Sequence, residues 1–218
     1  KYLMNKIITG NDRSGIYRLM KKKYRQELDR LKTGLLYENY MLGFFALIPA
    51  ASAIGYLFYY QMGQAFFQTA IFRLWLPAAY SIYILNFVLA IVYKTQRWNI
   101  SISERTWRMI YYVTAAMTGG SIGASAWFID LLTNPGAFIL VILILGMTSS
   151  GATGVISTNI RAFIIFNIFL LMPYALLFAF TGRIVLTYLA ILYCIIIFFT
   201  SRNNTRMIEK SLLLKIEN

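Results

Sequence analysis

Six long apolar stretches, separated by short polar breaks, constrain the fold of this 218-residue chain most strongly. A helix needs about 20 apolar residues to cross the hydrocarbon core of a bilayer. Only helices fit, because hydrocarbon cannot satisfy backbone N–H and C=O groups and the stretches lack the alternation of a barrel strand. We therefore predict an all-α polytopic membrane protein with a bundle of six transmembrane helices. The predicted spans are residues 40–60, 71–93, 107–131, 137–156, 162–181 and 184–200.

The composition argues against a water-soluble protein. Hydrophobic residues make up 59% of the chain and charged residues 13%, against roughly 25% charged residues in soluble domains. The net charge is +13, but the basic residues concentrate at the two ends and in one connection between spans. Nucleic-acid binding is the weaker explanation of such a pattern, and we predict the lipid bilayer rather than a nucleic acid as a partner.

The distribution of lysine and arginine orients the predicted spans. Every Lys and Arg except Arg73 and Arg183 lies in the lead, in the second-to-third connection, in the fourth-to-fifth connection or in the tail. Cytoplasmic segments of membrane proteins carry an excess of these residues. The sequence therefore predicts that both termini are cytoplasmic and that the outer connections are short.

Two stripes of small residues recur at four-residue spacing, which places the members of each stripe on one helix face. The third span carries Ala115, Gly119 and Gly123, and the fourth carries Gly146, Ser150 and Gly154. Small residues let helix backbones approach closely, whereas apolar side chains gain little by leaving lipid for one another. We expect spans three and four to form the tight centre of the bundle. A homodimer seam is the alternative use of these stripes.

Few polar residues lie within the spans, and these are the candidates for a ligand site. Asn86 is in the middle of the second span and Asn167 is in the fifth. Asp130 follows Trp127 by three residues at the outer end of the third span, on nearly the same helix face. A lipophilic ligand with one hydroxyl or carbonyl could use such groups. Alternatively, Asp130 is only solvated and each asparagine only bridges neighbouring helices.

The residues that catalysis needs are missing from the spans. The sequence has no histidine, which excludes haem or metal ligation by His and a His general base in this segment. The eight acidic residues form no pair inside the spans, and no phosphate-binding glycine loop is present. We predict no catalytic residues, no metal and no cofactor in this segment.

The lead before the first span is basic and amphipathic. Its apolar stripe consists of Met20, Tyr24, Leu28, Leu31 and Leu35, and lysine and arginine populate much of the remaining surface. Such a helix can lie on the inner leaflet, where anionic lipids attract it. We predict this position for the lead, although the helix could equally pack against a partner subunit.

The tail after the last span also reads as an amphipathic helix. Its apolar residues are Ile208, Leu212, Leu213 and Ile216, interspersed with charged ones. The stretch is too short to fix a heptad register. We predict a helix that relays a signal to something downstream, and we expect the chain to be a segment of a longer protein. The predicted divisions are a cytoplasmic lead (1–36), a six-helix membrane domain (37–201) and a cytoplasmic connector (202–218).

Several short motifs carry a family resemblance across residues 24–218. They are Trp107 opening span three, the glycine-rich stretch before Trp127, Gly151-Ala152 and Ser157 ahead of Arg161-Ala162-Phe163, Pro173, and the tail Ser211-Leu212-Leu213-Leu214-Lys215-Ile216-Glu217-Asn218. The chain resembles the N-terminal six-helix membrane-sensor region of bacterial hybrid histidine kinases and of some diguanylate cyclases. The tail is similar to the Ser-Leu-x-Leu-Arg-Phe-Glu-Asn of those proteins, with conservative departures at Lys215 and Ile216.

The resemblance implies a homodimeric input domain in the bacterial inner membrane. It implies detection of a lipophilic small molecule or a membrane state, and relay through the last helix to a cytoplasmic output module in the same chain. The output is expected to be a two-component sensor histidine kinase, with a diguanylate cyclase as the alternative. A small membrane transporter is the competing class, but it would predict intramembrane charges and an inverted repeat, and the sequence shows neither.

Overall fold

A computed structural model describes residues 15–69, 71–96, 102–127 and 135–217. Within these ranges the chain forms helices joined by turns, which confirms the all-α prediction. The α-helices are α1 (Gly15–Met62), α2 (Leu76–Gln96), α3 (Glu104–Gly123), α4 (Pro135–Val155), α5 (Ile160–Phe180) and α6 (Ile184–Glu217). A 3-10 helix (Gly63–Gln68) and a π-helix (Ile71–Trp75) connect α1 to α2, and a second 3-10 helix (Ala124–Trp127) extends α3.

Five of the described helices are long and apolar enough to cross a membrane, as a multi-pass membrane protein requires. Their apolar segments are Gly43–Gln68, Phe72–Thr95, Phe138–Val155, Ile160–Phe180 and Ile184–Leu214. Helix α3 is not among them, because it begins with charged residues and carries several hydroxyl groups. One face of α3 is buried against other helices, so its polar groups find partners inside the protein rather than facing lipid. The predicted third span also includes residues 128–131, which lie outside the described ranges.

Contacts at one end of the bundle fix the directions of the helices. The ring of Tyr37, early in α1, stacks on the ring of Tyr93 at the end of α2, and its hydroxyl donates to the carbonyl of Trp107 at the start of α3. Lys32 of α1 pairs with Glu209 near the end of α6. The two ends of the described chain therefore lie at the same end of the bundle.

Helices α3 and α5 form the most extensive contact in the bundle. A Cβ atom at Gly119 or Gly123 would collide with the backbone carbonyl oxygen of Phe166 or Phe169, so only glycine fits at both positions. The prediction that spans three and four form the tight centre of the bundle is wrong for span four, because the stripe on α3 meets α5. The spacing of small residues identifies a face for close approach but not the helix that occupies it.

The stripe on α4 has a different surrounding. The Tyr193 hydroxyl of α6 donates to the Gly146 carbonyl at 3.0 Å and lies 3.2 Å from the Ser150 hydroxyl. A Cβ at Gly154 would meet open space. Two of the three predicted packing residues therefore lie beside α6, and the third leaves room for a side chain.

The described part of the lead, residues 15–36, is continuous with the first span rather than a separate helix. Helix α1 runs without a break across the predicted boundary at residue 36, and Thr33 and Leu36 are fully buried. Asp29 pairs with Arg108 of α3 at 2.9 Å, and Lys32 pairs with Glu209 of α6. We predicted that this segment lies on the inner leaflet. Residues 26–36 instead pack within the bundle, where charged residues of α3 and α6 pair with those of α1.

Candidate functional site

A buried hydroxyl of α3 joins three helices. The Thr118 hydroxyl lies 3.0 Å from the Tyr40 hydroxyl of α1 and receives a hydrogen bond from the Asn86 amide of α2, also at 3.0 Å. It donates its own proton to the Thr114 carbonyl at 2.8 Å. All four residues are buried. Hydrogen bonds between apolar helices fix their rotation, because few other specific contacts are available in such a bundle.

The same face of α3 continues this polar row toward the other end of the bundle. The Ser121 hydroxyl lies 3.0 Å from the Tyr83 hydroxyl. The backbone carbonyl of Ser121 accepts a hydrogen bond from the Trp75 indole N–H at 2.7 Å. The row consists of Thr114, Thr118, Ser121 and Ser125. These residues were not among the predicted site residues, although their spacing of four, three and four positions indicates one helix face.

A cavity of about 550 Å³ opens on the outer surface of the bundle between α1 and α4. Its volume is within the range of small-molecule sites, roughly 300–1,000 Å³. Tyr40 and Thr118 line its inner end, so the cavity reaches the polar row. Met147 of α4, which is 74% exposed, lines its outer rim. Nearly all other lining atoms are apolar, and no charged side chain of the described residues lines the cavity.

Small side chains create this cavity. Helices α1 and α4 touch near one end, where the Asn39 amide donates to the Val155 carbonyl at 3.2 Å and a Cβ at Gly43 would lie 3.6 Å from the Val155 side chain. Farther along, α1 offers Ala46 and Ala50 to the cavity, and α4 offers Gly151. Because these residues are too small to fill the space between the two backbones, the helices leave a cleft.

The four predicted ligand-site residues do not form one site. Asn86 is buried and reaches the cavity only through Thr118. Asn167 accepts from the Ser149 hydroxyl of α4 and donates to the Phe163 carbonyl, so it bridges α4 and α5. Trp127 is 58% exposed at the end of the second 3-10 helix. Asp130 lies outside the described residues.

The predicted relay residues on α6 turn largely toward their own chain. Leu212 is buried, and Ile208, Leu213 and Ile216 are half-buried. By contrast, Met207 and Leu214 are exposed on the opposite face of the same helix. The tail of α6 therefore packs against the described bundle through the stripe identified in the sequence, and it leaves a second, narrower apolar strip uncovered.

The lining side chains determine which kind of molecule the cavity could hold. Among the residues that the structure covers, no group of three or more His, Cys, Asp or Glu side chains is arranged to hold a metal ion. The cavity offers apolar walls and a few hydroxyl groups, which suit an uncharged molecule that dissolves in lipid. Comparison with known proteins finds no matching family model, no matching curated protein and no matching solved structure.

Proposed function

We propose that this chain is the membrane-embedded sensory input domain of a bacterial signal-transduction protein, with a two-component sensor histidine kinase as the output. In this proposal all six helices cross the inner membrane, and the end that carries Lys32 and Glu209 faces the cytoplasm. The exposed Arg73 and Arg183 are then the basic residues on the outer side. The signal is a lipophilic molecule that enters the cleft between α1 and α4.

The observation that carries this proposal is the continuity between the cavity wall and the last helix. Met147 and Gly151 of α4 line the cavity, and the neighbouring Gly146 and Ser150 contact Tyr193 of α6. From Tyr193, α6 continues as one helix to Glu217 without a break. A displacement of α4 by a ligand therefore reaches the far end of α6 through a single rigid element.

A second contact ties α6 to the other cavity wall. Helix α1 lines the cavity with Tyr40 and Ala50, and its lead is paired to α6 through Lys32 and Glu209. A change in the separation of α1 and α4 therefore acts on α6 at two places. A ligand shifts such an equilibrium only by the difference between its affinities for the two arrangements. A cleft that one arrangement opens and the other closes provides this difference.

The proposed homodimer uses the outer face of α6. This helix is the least enclosed of the five apolar helices, with 11% of its most apolar window buried within the chain. The exposed face is broad and apolar, and it consists of Val185, Tyr188, Leu192, Ile196 and Phe199. Pairing of two copies along this face brings the two relay helices together, as a dimeric output module requires.

The proposal is tested by fusing residues 1–218 to the catalytic module of a histidine kinase and measuring autophosphorylation in membrane vesicles. Addition of lipophilic extracts should change the rate. Tyr193→Phe removes the hydroxyl that joins α6 to α4 but keeps the ring, so it should reduce the response. Tyr60→Phe is the matched control, because Tyr60 is 69% exposed near the end of α1, does not line the cavity and is not part of the proposed α6 interface.

Two outcomes would overturn the sensor proposal. Robust flux of a solute through liposomes that contain the purified chain would indicate a transporter. A fusion whose activity is the same with and without every lipophilic addition, and the same for Tyr193→Phe and the unaltered chain, would contradict the proposed input role. A response seen with a cyclase module and not with a kinase module would keep the sensor and change its output.

A further inference from the structure

We propose that the cleft between α1 and α4 binds a membrane-soluble alcohol, an uncharged aliphatic body with a hydroxyl group that it donates to Tyr40. The inference deepens the proposed sensor function by naming the class of ligand at that site. It depends on which atoms at the inner end of the cavity are donors and which are acceptors.

The hydrogen bonds of Thr118 determine the role of Tyr40. A threonine hydroxyl has one proton to donate and two lone pairs to accept with. Its proton goes to the Thr114 carbonyl, which can only accept, and one lone pair receives the Asn86 amide, which can only donate. The remaining lone pair faces the Tyr40 hydroxyl at 3.0 Å, so Tyr40 is the donor in that pair.

Tyr40 is therefore left as an acceptor for the cavity. Its single proton is committed to Thr118, and its oxygen receives no hydrogen bond from any other residue in the described ranges. The oxygen lies at a position that is only 4% exposed and borders the cavity. A ligand that carries a hydroxyl donor satisfies this oxygen, whereas a ligand with only a carbonyl or ether oxygen places two acceptors against each other.

A second hydroxyl in the cavity wall is also uncommitted. Thr148 of α4 lines the cavity, and within the part of the chain that is described its hydroxyl has no hydrogen-bond partner. Threonines elsewhere in the described helices donate to a carbonyl of the preceding turn, namely Thr33, Thr95, Thr114, Thr118, Thr153 and Thr200. Thr148 can therefore donate to or accept from an oxygen of a bound molecule.

The remaining walls define the body of the ligand. Ala46, Ala50, Ile144 and Met147 are among the lining residues, and none of the Lys, Arg, Asp or Glu residues that the structure describes lines the cavity. A carboxylate or phosphate would be buried here without a counter-charge, which is strongly unfavourable. The cleft thus selects an alcohol over a fatty acid or a phospholipid headgroup, and its opening between α1 and α4 lets an aliphatic chain enter from the side.

The test uses purified protein in phosphatidylcholine nanodiscs and a long-chain alcohol with a mid-chain diazirine. After illumination, mass spectrometry should find the label on cavity residues such as Ala50 and Met147. Unlabelled compounds that can donate a hydroxyl proton should compete with the label better than compounds that cannot. The unlabelled alcohol should compete roughly three- to tenfold better than its methyl ether or the alkane of equal length, because the ether retains an acceptor but has no proton to give.

Tyr40→Phe should abolish this preference, so that the alcohol and its ether compete equally within the same variant. Tyr83→Phe is the matched control, because it removes a tyrosine hydroxyl that bonds to Ser121 of α3 at 3.0 Å but does not line the cavity. The control should retain the preference. Each comparison is a ratio measured on one variant, so a general loss of stability does not mimic the expected result. If Tyr40→Phe fails to fold, the competition series on the unaltered chain decides.

Equal competition by alcohol, ether and alkane in the unaltered chain would overturn the assignment, as would labelling that avoids the cavity. Both results correspond to a cleft filled by lipid acyl chains. These results are distinguishable from failure of the sensor proposal. Preferential binding of the alcohol with no change in kinase output would contradict the sensor proposal and support the alcohol as the ligand class. A kinase response with no preference for the alcohol would support the sensor proposal and contradict the ligand class.

Discussion

Lys32 and Glu209 form an ion pair although 177 positions separate them in the chain, and this pair ties the first helix to the last at one end of the bundle. The two side chains are 17% and 38% exposed, so water screens the interaction in part. Pairs of this kind contribute about 0.3–1 kcal/mol to stability.

The first prediction concerns this pair. Lys32→Met and Glu209→Gln should each lower the thermal stability of the protein, and the double variant should lose less than the sum, with a coupling of about 0.3–1 kcal/mol. High salt should reduce the coupling, because ions screen exposed charges. The measurement is a double-mutant cycle of thermal unfolding in detergent at low and high salt. Additive losses at low salt would mean that α1 and α6 do not meet at this pair.

The second prediction concerns the contact between α3 and α5. Gly119→Ala and Gly123→Ala should each destabilise the bundle strongly, by more than about 3 kcal/mol, because a Cβ would overlap backbone atoms of α5 that cannot move aside. Gly154→Ala is the matched control, since a Cβ there meets open space and alanine is the better helix former by about 1 kcal/mol. The yield of monodisperse protein and its unfolding temperature report the difference. Equal tolerance at all three positions would contradict the close approach.

The third prediction concerns buried hydroxyl groups near the turn between α4 and α5. The Ser201 hydroxyl is fully buried and has no partner among the described residues, so Ser201→Ala should leave the stability unchanged or raise it slightly. The Thr205 hydroxyl donates to the Ser157 carbonyl, and Thr205→Val should cost about 1–3 kcal/mol by leaving that carbonyl unpaired. Thermal unfolding of the two variants separates these cases. A loss for Ser201→Ala as large as that for Thr205→Val would reveal a partner for Ser201, such as a buried water molecule.

The helix boundaries of the second half could be predicted from the sequence because their signals are local. The predicted spans 137–156 and 162–181 differ from α4 and α5 by at most two residues at each end. Pro135 begins α4, where proline suits the first helical position, and the Asn159 side chain caps the start of α5 by accepting from the Arg161 amide.

Features that depend on two helices could not be predicted in the same way. The spacing of Gly119 and Gly123 gave the face of α3 but not its partner α5, because any helix with a suitable groove could fill that position. The basic charges of the lead (residues 1–36) predict a position on an anionic leaflet. Its true neighbours supply Arg108 and Glu209, which are far away in the sequence.

The cavity could not be predicted from the sequence, because it also depends on which two helices lie side by side. Gly43, Ala46 and Ala50 are ordinary small residues of an apolar helix, and only their position opposite Gly151 turns them into walls of a cleft. The asparagines are predicted site residues because they are polar residues in apolar spans. In the structure Asn167 accepts a hydrogen bond from Ser149 and bridges two helices. The polar groups that line the cavity are instead the hydroxyls of Tyr40 and Thr118.

The last prediction concerns a substitution that should fill part of the cavity. Ala50→Leu adds three methylene-sized groups to a half-buried position that faces the cleft, so the new side chain should occupy space that is empty in the protein. Stability should be unchanged or should rise by up to about 1 kcal/mol, since burying apolar atoms in a void is favourable. Labelling by the photoreactive alcohol should fall sharply, because the new side chain competes with the ligand for the same volume. Ala179→Leu makes the same change at an exposed position of α5 away from the cavity and should leave labelling intact. Undiminished labelling of Ala50→Leu would place the binding site elsewhere in the bundle and would separate the cleft from any response of α6.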